Sequence, residues 1–141
     1  MSKKQLHLTI TTPIQTIYDN HVDQVTVTSA AGELTILPDH VPLVVPLMIG
    51  QAMVKVAGKE IYHAIDGGIL EIRHNNEVVI LSDRSENASE IDIDRANEAA
   101  KRAEELMNQD LPPSEVEYAA LQKSMAKELN RVKLAQKGQR K

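Results

Sequence analysis

Gly32-Glu33-Leu34-Thr35-Ile36-Leu37-Pro38-Asp39-His40-Val41-Pro42-Leu43 is the stretch on which the reading of this 141-residue chain turns. Gly32 permits a turn that a bulkier residue resists. Leu34 and Ile36 alternate with Glu33 and Thr35, the period of a half-buried strand. Pro38 and Pro42 then interrupt the ladder, because proline has no N–H to donate. The stretch therefore reads as strand, rigid corner and new strand, with Asp39 and His40 displayed on the corner.

The same grammar extends to both sides. Leu6, Leu8 and Ile10 alternate with His7, Thr9 and Thr11, and Val25 and Val27 with Gln24, Thr26 and Thr28. Met53 to Val56 leads through Ala57-Gly58-Lys59 into Glu60 to Ala64, a hairpin. Asp66-Gly67-Gly68 reads as a second tight corner. Ile69 to Ile72 and Val78 to Leu81 flank His74-Asn75-Asn76-Glu77, and asparagine tolerates the left-handed geometry that such a turn needs. Short strands separated by turn signals predict a β-sandwich or flattened barrel.

Beyond Ser82-Asp83-Arg84-Ser85 the composition changes. Residues 1–83 hold ten Val and ten Ile against two of each in 84–141, whereas Ala rises from five to nine. β-Branched residues suit pleated surfaces and alanine suits helices. Ala96, Ala99, Ala100, Ala103, Leu106 and Met107 lie on one helical face. Asn108–Pro113 breaks that helix, and Ser114-Glu115-Val116-Glu117 opens another with a capping box. Tyr118, Leu121, Met125, Leu129 and Val132 give the second helix its stripe. The predicted fold is α+β: a sandwich over residues 1–84, then an antiparallel two-helix hairpin over 85–141. An alanine stripe buries little apolar area, so the hairpin is expected to be weakly held. It reads either as a small helical subdomain or as a segment able to exchange one packing for another.

Composition excludes several functions. Net charge is -4 and aromatic content 2%, with no Trp or Phe, which argues against a nucleic-acid partner. There is no Cys, so disulfides and thiol chemistry are absent. Met1 to Gln5 leads into a strand rather than an apolar block, so no signal peptide is expected. No apolar run approaches the roughly 20 residues that span a bilayer. The expectation is a soluble cytoplasmic protein without direct lipid insertion, or one that reaches a membrane through a partner. His7, His21, His40, His63 and His74 show no metal-type spacing, Ser29 and Ser82 lack a nucleophile elbow, and no phosphate-binding glycine loop is present. No catalytic residue, metal site or required cofactor is expected.

Charge is distributed unevenly in the helical part. Residues 84–120 carry ten acidic and four basic side chains, and 121–141 carry seven basic and one acidic, Glu128. A basic end suits a helix macrodipole, and a basic helix also suits an acidic partner. Ile91-Asp92-Ile93-Asp94-Arg95-Ala96 opens the first helix, where Asp92 is a natural cap and Asp94 a favourable first-turn acid.

Residues 32–43 resemble the G-E-L-x-I-x-P-x-H-x-P-L signature of the epsilon-subunit family of the F-type ATP synthase. Asp39 falls where the family varies and glycine is frequent. Asp66-Gly67-Gly68-Ile69-Leu70-Glu71-Ile72 resembles its G-G-x-L/I-E-V segment, and Ile91 to Ala96 its I/L-D-x-x-R-A motif. The resemblance implies a non-catalytic stalk subunit of the complex that makes ATP from ADP and phosphate with a proton gradient. It implies gamma, the c-ring, alpha and beta as partners, at the cytoplasmic side of the cell membrane, peripherally bound. It places Glu33 near the c-ring and His40 near gamma. It implies inhibition of hydrolysis by the C-terminal helices, with Lys123, Lys127, Arg131 and Lys133 facing an acidic segment of beta. Some bacterial members bind ATP as a regulatory ligand. Here that would fall to Asp92 and Arg95, with Lys127 and Arg131 where relatives place arginines; lysine is the weaker bidentate phosphate ligand.

Overall fold

The structure, a computed structural model, describes residues 3–109 and 114–139. The chain divides into two compact units, residues 1–87 and 88–141. The first holds β1 (Leu6–Thr11), β2 (Thr16–Val22), β3 (Gln24–Ser29), β4 (Gly32–Ile36), β5 (Leu43–Val56), β6 (Lys59–Ile72), β7 (Glu77–Ser82) and β8 (Ser85–Asn87). Strand order is β2-β1-β7-β6-β5-β3-β4, with β8 also on β6, and β1 runs parallel to β7.

Alternation in sequence becomes alternation in burial. Leu6, Leu8 and Ile10 are fully buried, as are Val25 and Ile36, which pair across β3 and β4. Between Ile36 and Leu43 the corner runs as expected, with Asp39 in the left-handed region at φ 67. That geometry explains why glycine suits this position. Asn75 and Asn76, both at φ 62, make the β6–β7 turn, and Ala57 and Gly58 the β5–β6 turn.

The long strands β5 and β6 serve two layers. Gly68 to Ile72 of β6 pair with β7, whereas His63 to Ile65 pair with β8. On the other side of the hairpin, Gln24 to Val27 of β3 pair with Ala52 to Lys55 of β5. One layer is thus β2-β1-β7 with the first half of β5 and the second half of β6; the other is β4-β3 with the remaining halves and β8. Leu70, Ile72, Val78 and Ile80 from the first layer meet Val27, Val54 and Ile65 from the second in one core.

Asp66-Gly67-Gly68 is not a corner between strands, as its composition suggests. β6 continues through it, still paired with β5 at Asp66↔Ile49 and Gly68↔Leu47. The glycines are needed because the backbone bends here, at φ 94 and 138, and a Cβ on Gly68 would drive into the Leu81 carbonyl oxygen. The bend is tied on the inside. Asp66 is 5% exposed and its carboxylate meets Arg84 Nε at 2.8 Å, while its N–H donates to the Arg84 carbonyl at 3.2 Å. The Ser82 hydroxyl lies within reach of two carbonyls, Gly67 at 2.9 Å and Arg84 at 2.7 Å. Pairing of Ser85–Asn87 with β6 carries the sandwich unit past the composition change at 84/85.

The second unit begins with a 3₁₀ turn, Ala88–Glu90, followed by α1 (Ile93–Met107) and α2 (Glu115–Gly138). Asp92 caps α1, its carboxylate accepting from Arg95 N at 3.1 Å, and Ser114 caps α2 by accepting from Glu117 N at 3.2 Å. Asn108 closes α1; residues 110–113 of the expected break lie outside the described residues. The Gln139 amide donates to the Ile91 carbonyl at 2.9 Å, so the end of α2 returns to the start of α1 and the helices run antiparallel. Gly138 lets that end approach closely, since a Cβ there would lie 2.6 Å from Ala88 Cβ.

The apolar stripes are only partly the buried faces. Ala96, Ala100 and Ala103 are buried, but Leu106 is 45% exposed. On α2 the buried residues are Glu128, Leu134 and Ala135, while Leu129 is 49% exposed and Tyr118 39%. Periodicity marks a face from apolar side chains alone, and here a carboxylate occupies the inner one.

Two measurements test this core. Gly68→Ala is expected to lower the unfolding free energy by about 2 kcal/mol or more, read from urea titration; an unchanged midpoint would show that β6 does not need the bend. His63 is 1% exposed, packs edge-on to Tyr18 at 5.2 Å, and burial pushes its imidazole down to about 4. Its unfolded form takes up a proton near 6.5 and its folded form does not, so stability falls as pH drops from 6.5 towards 4, by about 3 kcal/mol at most. His63→Leu should remove that part of the acid sensitivity in melts at pH 7 and pH 4.5.

Candidate functional site

The outer face of the first layer follows from strand register. Residues directly opposite one another share a face. Thr11, Leu81, Ile69 and Pro46 form one row across β1, β7, β6 and β5, and Thr9, Val79, Glu71 and Val44 form the next. The core takes the alternate positions, so these side chains point away from it. Val44 is 64% exposed, Met48 52%, Leu81 49% and Ile69 46%. Large apolar side chains therefore cluster on β5, β6 and β7, and the bend at Gly67-Gly68 ends this half of β6.

The opposite end of the face is charged. His7 stands between His21 on β2 and Glu77 on β7. Its Nε2 lies 2.6 Å from Asp19 Oδ1, its Nδ1 3.0 Å from Glu77 Oε1, and its ring stacks on His21 at 5.0 Å. Bonds to Asp19 first, then to Glu77, hold the His7 imidazole above its usual value. Arg73 closes the row, its Nε 3.1 Å from Glu71 Oε1.

Glu33 and His40 lie on either side of the remainder of β4. Glu33 is exposed on this last strand of the sheet, opposite Thr28. His40 is half-buried on the corner, its Nδ1 2.8 Å from the Val41 carbonyl. With Lys4, Asp39, Arg73, His74 and Asn76 it lines an open cleft of about 590 Å³. Lys4 Nζ lies 2.7 Å from Asp39 Oδ2, and this bond holds the Asp39 carboxyl below its usual value. The structure does not bring Glu33 into that cleft.

In the helical unit Asp92 and Arg95 are exposed at the start of α1. Gln139 fixes the level of Ile91 on α2. At 1.5 Å per residue, Arg131 lies about 12 Å along the axis from that level, Arg95 about 6 Å and Lys127 about 18 Å. Arg95 and Arg131 thus stand within about 6 Å axially, with Lys127 a turn further. Arg131 Nη1 donates to Glu128 Oε2 at 2.8 Å. Lys123 and Lys133 are exposed, and Lys127 is half-buried. Among the described residues, no group of three or more His, Asp or Glu side chains is arranged to hold a metal, and no helix is long and apolar enough to cross a membrane.

A β-sandwich with an outward apolar face, followed by a two-helix hairpin, defines the class as a small two-domain fold. The Euglena gracilis mitochondrial ATP synthase structure of OSCP, F1 and c-ring contains a chain of this fold, with TM-score 0.76 and 23% identity over 89% of this chain and 78% of that one. The central stalk and c-ring structure of Tetrahymena thermophila mitochondrial ATP synthase contains another, with TM-score 0.59 and 18% identity over 99% and 100%. Residues 5–88 match the family model for the β-sandwich domain of the ATP synthase delta/epsilon chain, and 89–136 that for its long α-helix domain. The ATP synthase epsilon chain of Desulforamulus reducens is 38% identical over 96% of this chain and 100% of its own length, and that of Bacillus pumilus 37% over 95% and 99%. The chain belongs to the ATP synthase delta/epsilon family, as an epsilon chain of the bacterial F-type enzyme.

Sequence reading missed the charged end of the face. The signal was present: alternation turns His7 outward, and a short turn at Thr12–Gln15 brings His21 opposite it. β2 itself escaped notice because Thr16–Val22 holds few apolar residues, as an edge strand can. The His7 bridge is testable. Its folded value is raised, so its stabilisation is complete below about pH 6.5 and is lost as pH rises through the folded value. His7→Gln should lower the melting temperature at pH 6 and change it little at pH 9; equal losses at both would remove the bridge as the cause.

Proposed function

We propose that this chain is a non-catalytic, rotating central-stalk subunit. It docks gamma through the outer face of β5, β6 and β7, with the His40 corner also towards gamma, and meets the c-ring near Glu33, at the other end of β4. The observation that carries the reading is the apolar cluster Val44, Met48, Ile69 and Leu81, exposed on a sheet face whose other end carries His7, Glu77 and Arg73. An apolar patch rimmed by polar residues suits a permanent partner. The Euglena structure is of OSCP, F1 and c-ring and the Tetrahymena one of central stalk and c-ring, which supports partners within that assembly. On this reading the subunit sits peripherally at the cytoplasmic side of the cell membrane, held there by protein contacts.

The hairpin restrains ATP hydrolysis on the same reading, its exposed Lys123 and Lys133 meeting an acidic segment of beta, with Lys127 and Arg131 joining when the helices part. ATP is the regulatory ligand of the folded-back hairpin, with Asp92 and Arg95 on α1 and Lys127 and Arg131 on α2.

Reconstitution with alpha, beta and gamma tests both halves. Ile69→Asp with Leu81→Asp should weaken association with gamma by about tenfold or more while circular dichroism stays that of the parent. A chain ending at Asn87 should keep gamma and let ATP hydrolysis rise. Undiminished association of the double variant would remove the docking face, and unchanged hydrolysis at low ATP would remove the hairpin as a brake.

A further inference from the structure

Glu128 is the one acidic residue among the seven cations of residues 121–141, and it is buried, at 8% exposure. Its carboxylate lies against Arg131: Nη1 to Oε2 is 2.8 Å, with the two side chains 11% and 16% exposed. Surface pairs at this spacing on a helix are ordinarily solvated and contribute little. This one is largely withdrawn from water, where a charge-assisted bond to a guanidinium is stronger.

Arg131 is also one of the groups assigned to nucleotide phosphates. Phosphate and carboxylate compete for the same planar donor fork. We propose that Glu128 is a built-in competitor of ATP and sets the nucleotide affinity of this chain. This rests on the reading of the hairpin as an ATP site. The carboxylate occupies the guanidinium that the outer phosphates require. A phosphate reaching Arg131 must displace it or sit beside its negative charge. Asp92 is engaged in a similar way, its carboxylate capping α1 through Arg95 N. In the folded-back hairpin Asp92 and Arg131 thus each already hold a partner within the chain, and ATP binds it weakly.

The test is calorimetric titration of ATP into the full chain, for wild type, Glu128→Gln, Arg131→Ala and the double variant, with far-UV circular dichroism as the check on folding. Glu128→Gln should tighten ATP by about tenfold. The same change in the Arg131→Ala background should have an effect of less than about twofold, which a purely structural role would not produce. AMP, which lacks the outer phosphates, should gain little from Glu128→Gln. Equal ATP affinity of wild type and Glu128→Gln would overturn the role of Glu128 and leave the ATP site standing. No binding by either at millimolar ATP, with helix content intact, would overturn both. Should Glu128→Gln lose helix, Glu128→Asp decides: it keeps the charge but withdraws it from Arg131, so a smaller gain is expected and no gain overturns the proposal.

Discussion

The passage of Gly68 beneath the Leu81 carbonyl oxygen governs the sandwich, because β6 can change partner strands only where its backbone bends without a side chain. Two consecutive residues with positive φ make that bend inside a strand that stays paired with β5 on its other edge. Asp66, Ser82 and Arg84 tie the bend, with an ion pair whose carboxylate is buried and a hydroxyl shared between two carbonyls. Both layers, and the core between them, follow from it. So does the outer face, since Ile69 lies just beyond the bend and pairs with Leu81 and Pro46.

The helical hairpin obeys a different constraint. Its first helix buries alanines, and its second buries Leu134 and Ala135 near its end together with the Glu128 carboxylate. Little apolar area holds such a pair together, so polar groups weigh heavily in its packing. On the proposed reading, ATP at a hundredfold excess over Kd adds about 2.7 kcal/mol to the folded-back form. Carrying a two-state element from one extreme to the other takes about 5.5 kcal/mol. A ligand of that strength biases a hairpin that is already near balance and leaves a strongly committed one unchanged.

Histidines show how one side-chain type takes opposite roles by position. His7 and His63 both lie on strands, His7 at an outward position of β1 and His63 at an inward position of β6. His7 gains carboxylate partners and favours its charged form; His63 loses water and favours its neutral form. Composition treats them alike, and only the pairing of strands separates them.

Alternation, proline and the paired asparagines sufficed to place β1, β3, β4, the corner at Pro38–Pro42 and the turn at Asn75-Asn76, because each is a local property of the backbone. The shift from Val and Ile to Ala was enough to announce the helices, and Asp92 and Ser114 to start them. The sequence likewise carried the family resemblance. It did not settle that Gly67-Gly68 bends a strand instead of ending one, since the reason is a carbonyl on β7, that of Leu81, which only strand pairing brings to Gly68. Nor did it reveal that Glu128 turns inward to Arg131, because helical periodicity ranks faces by apolar content and a buried ion pair reads as surface. The apolar outer face was invisible too: Val44, Ile69 and Leu81 look like core in their own strands, and only cross-strand register puts them together on the outside.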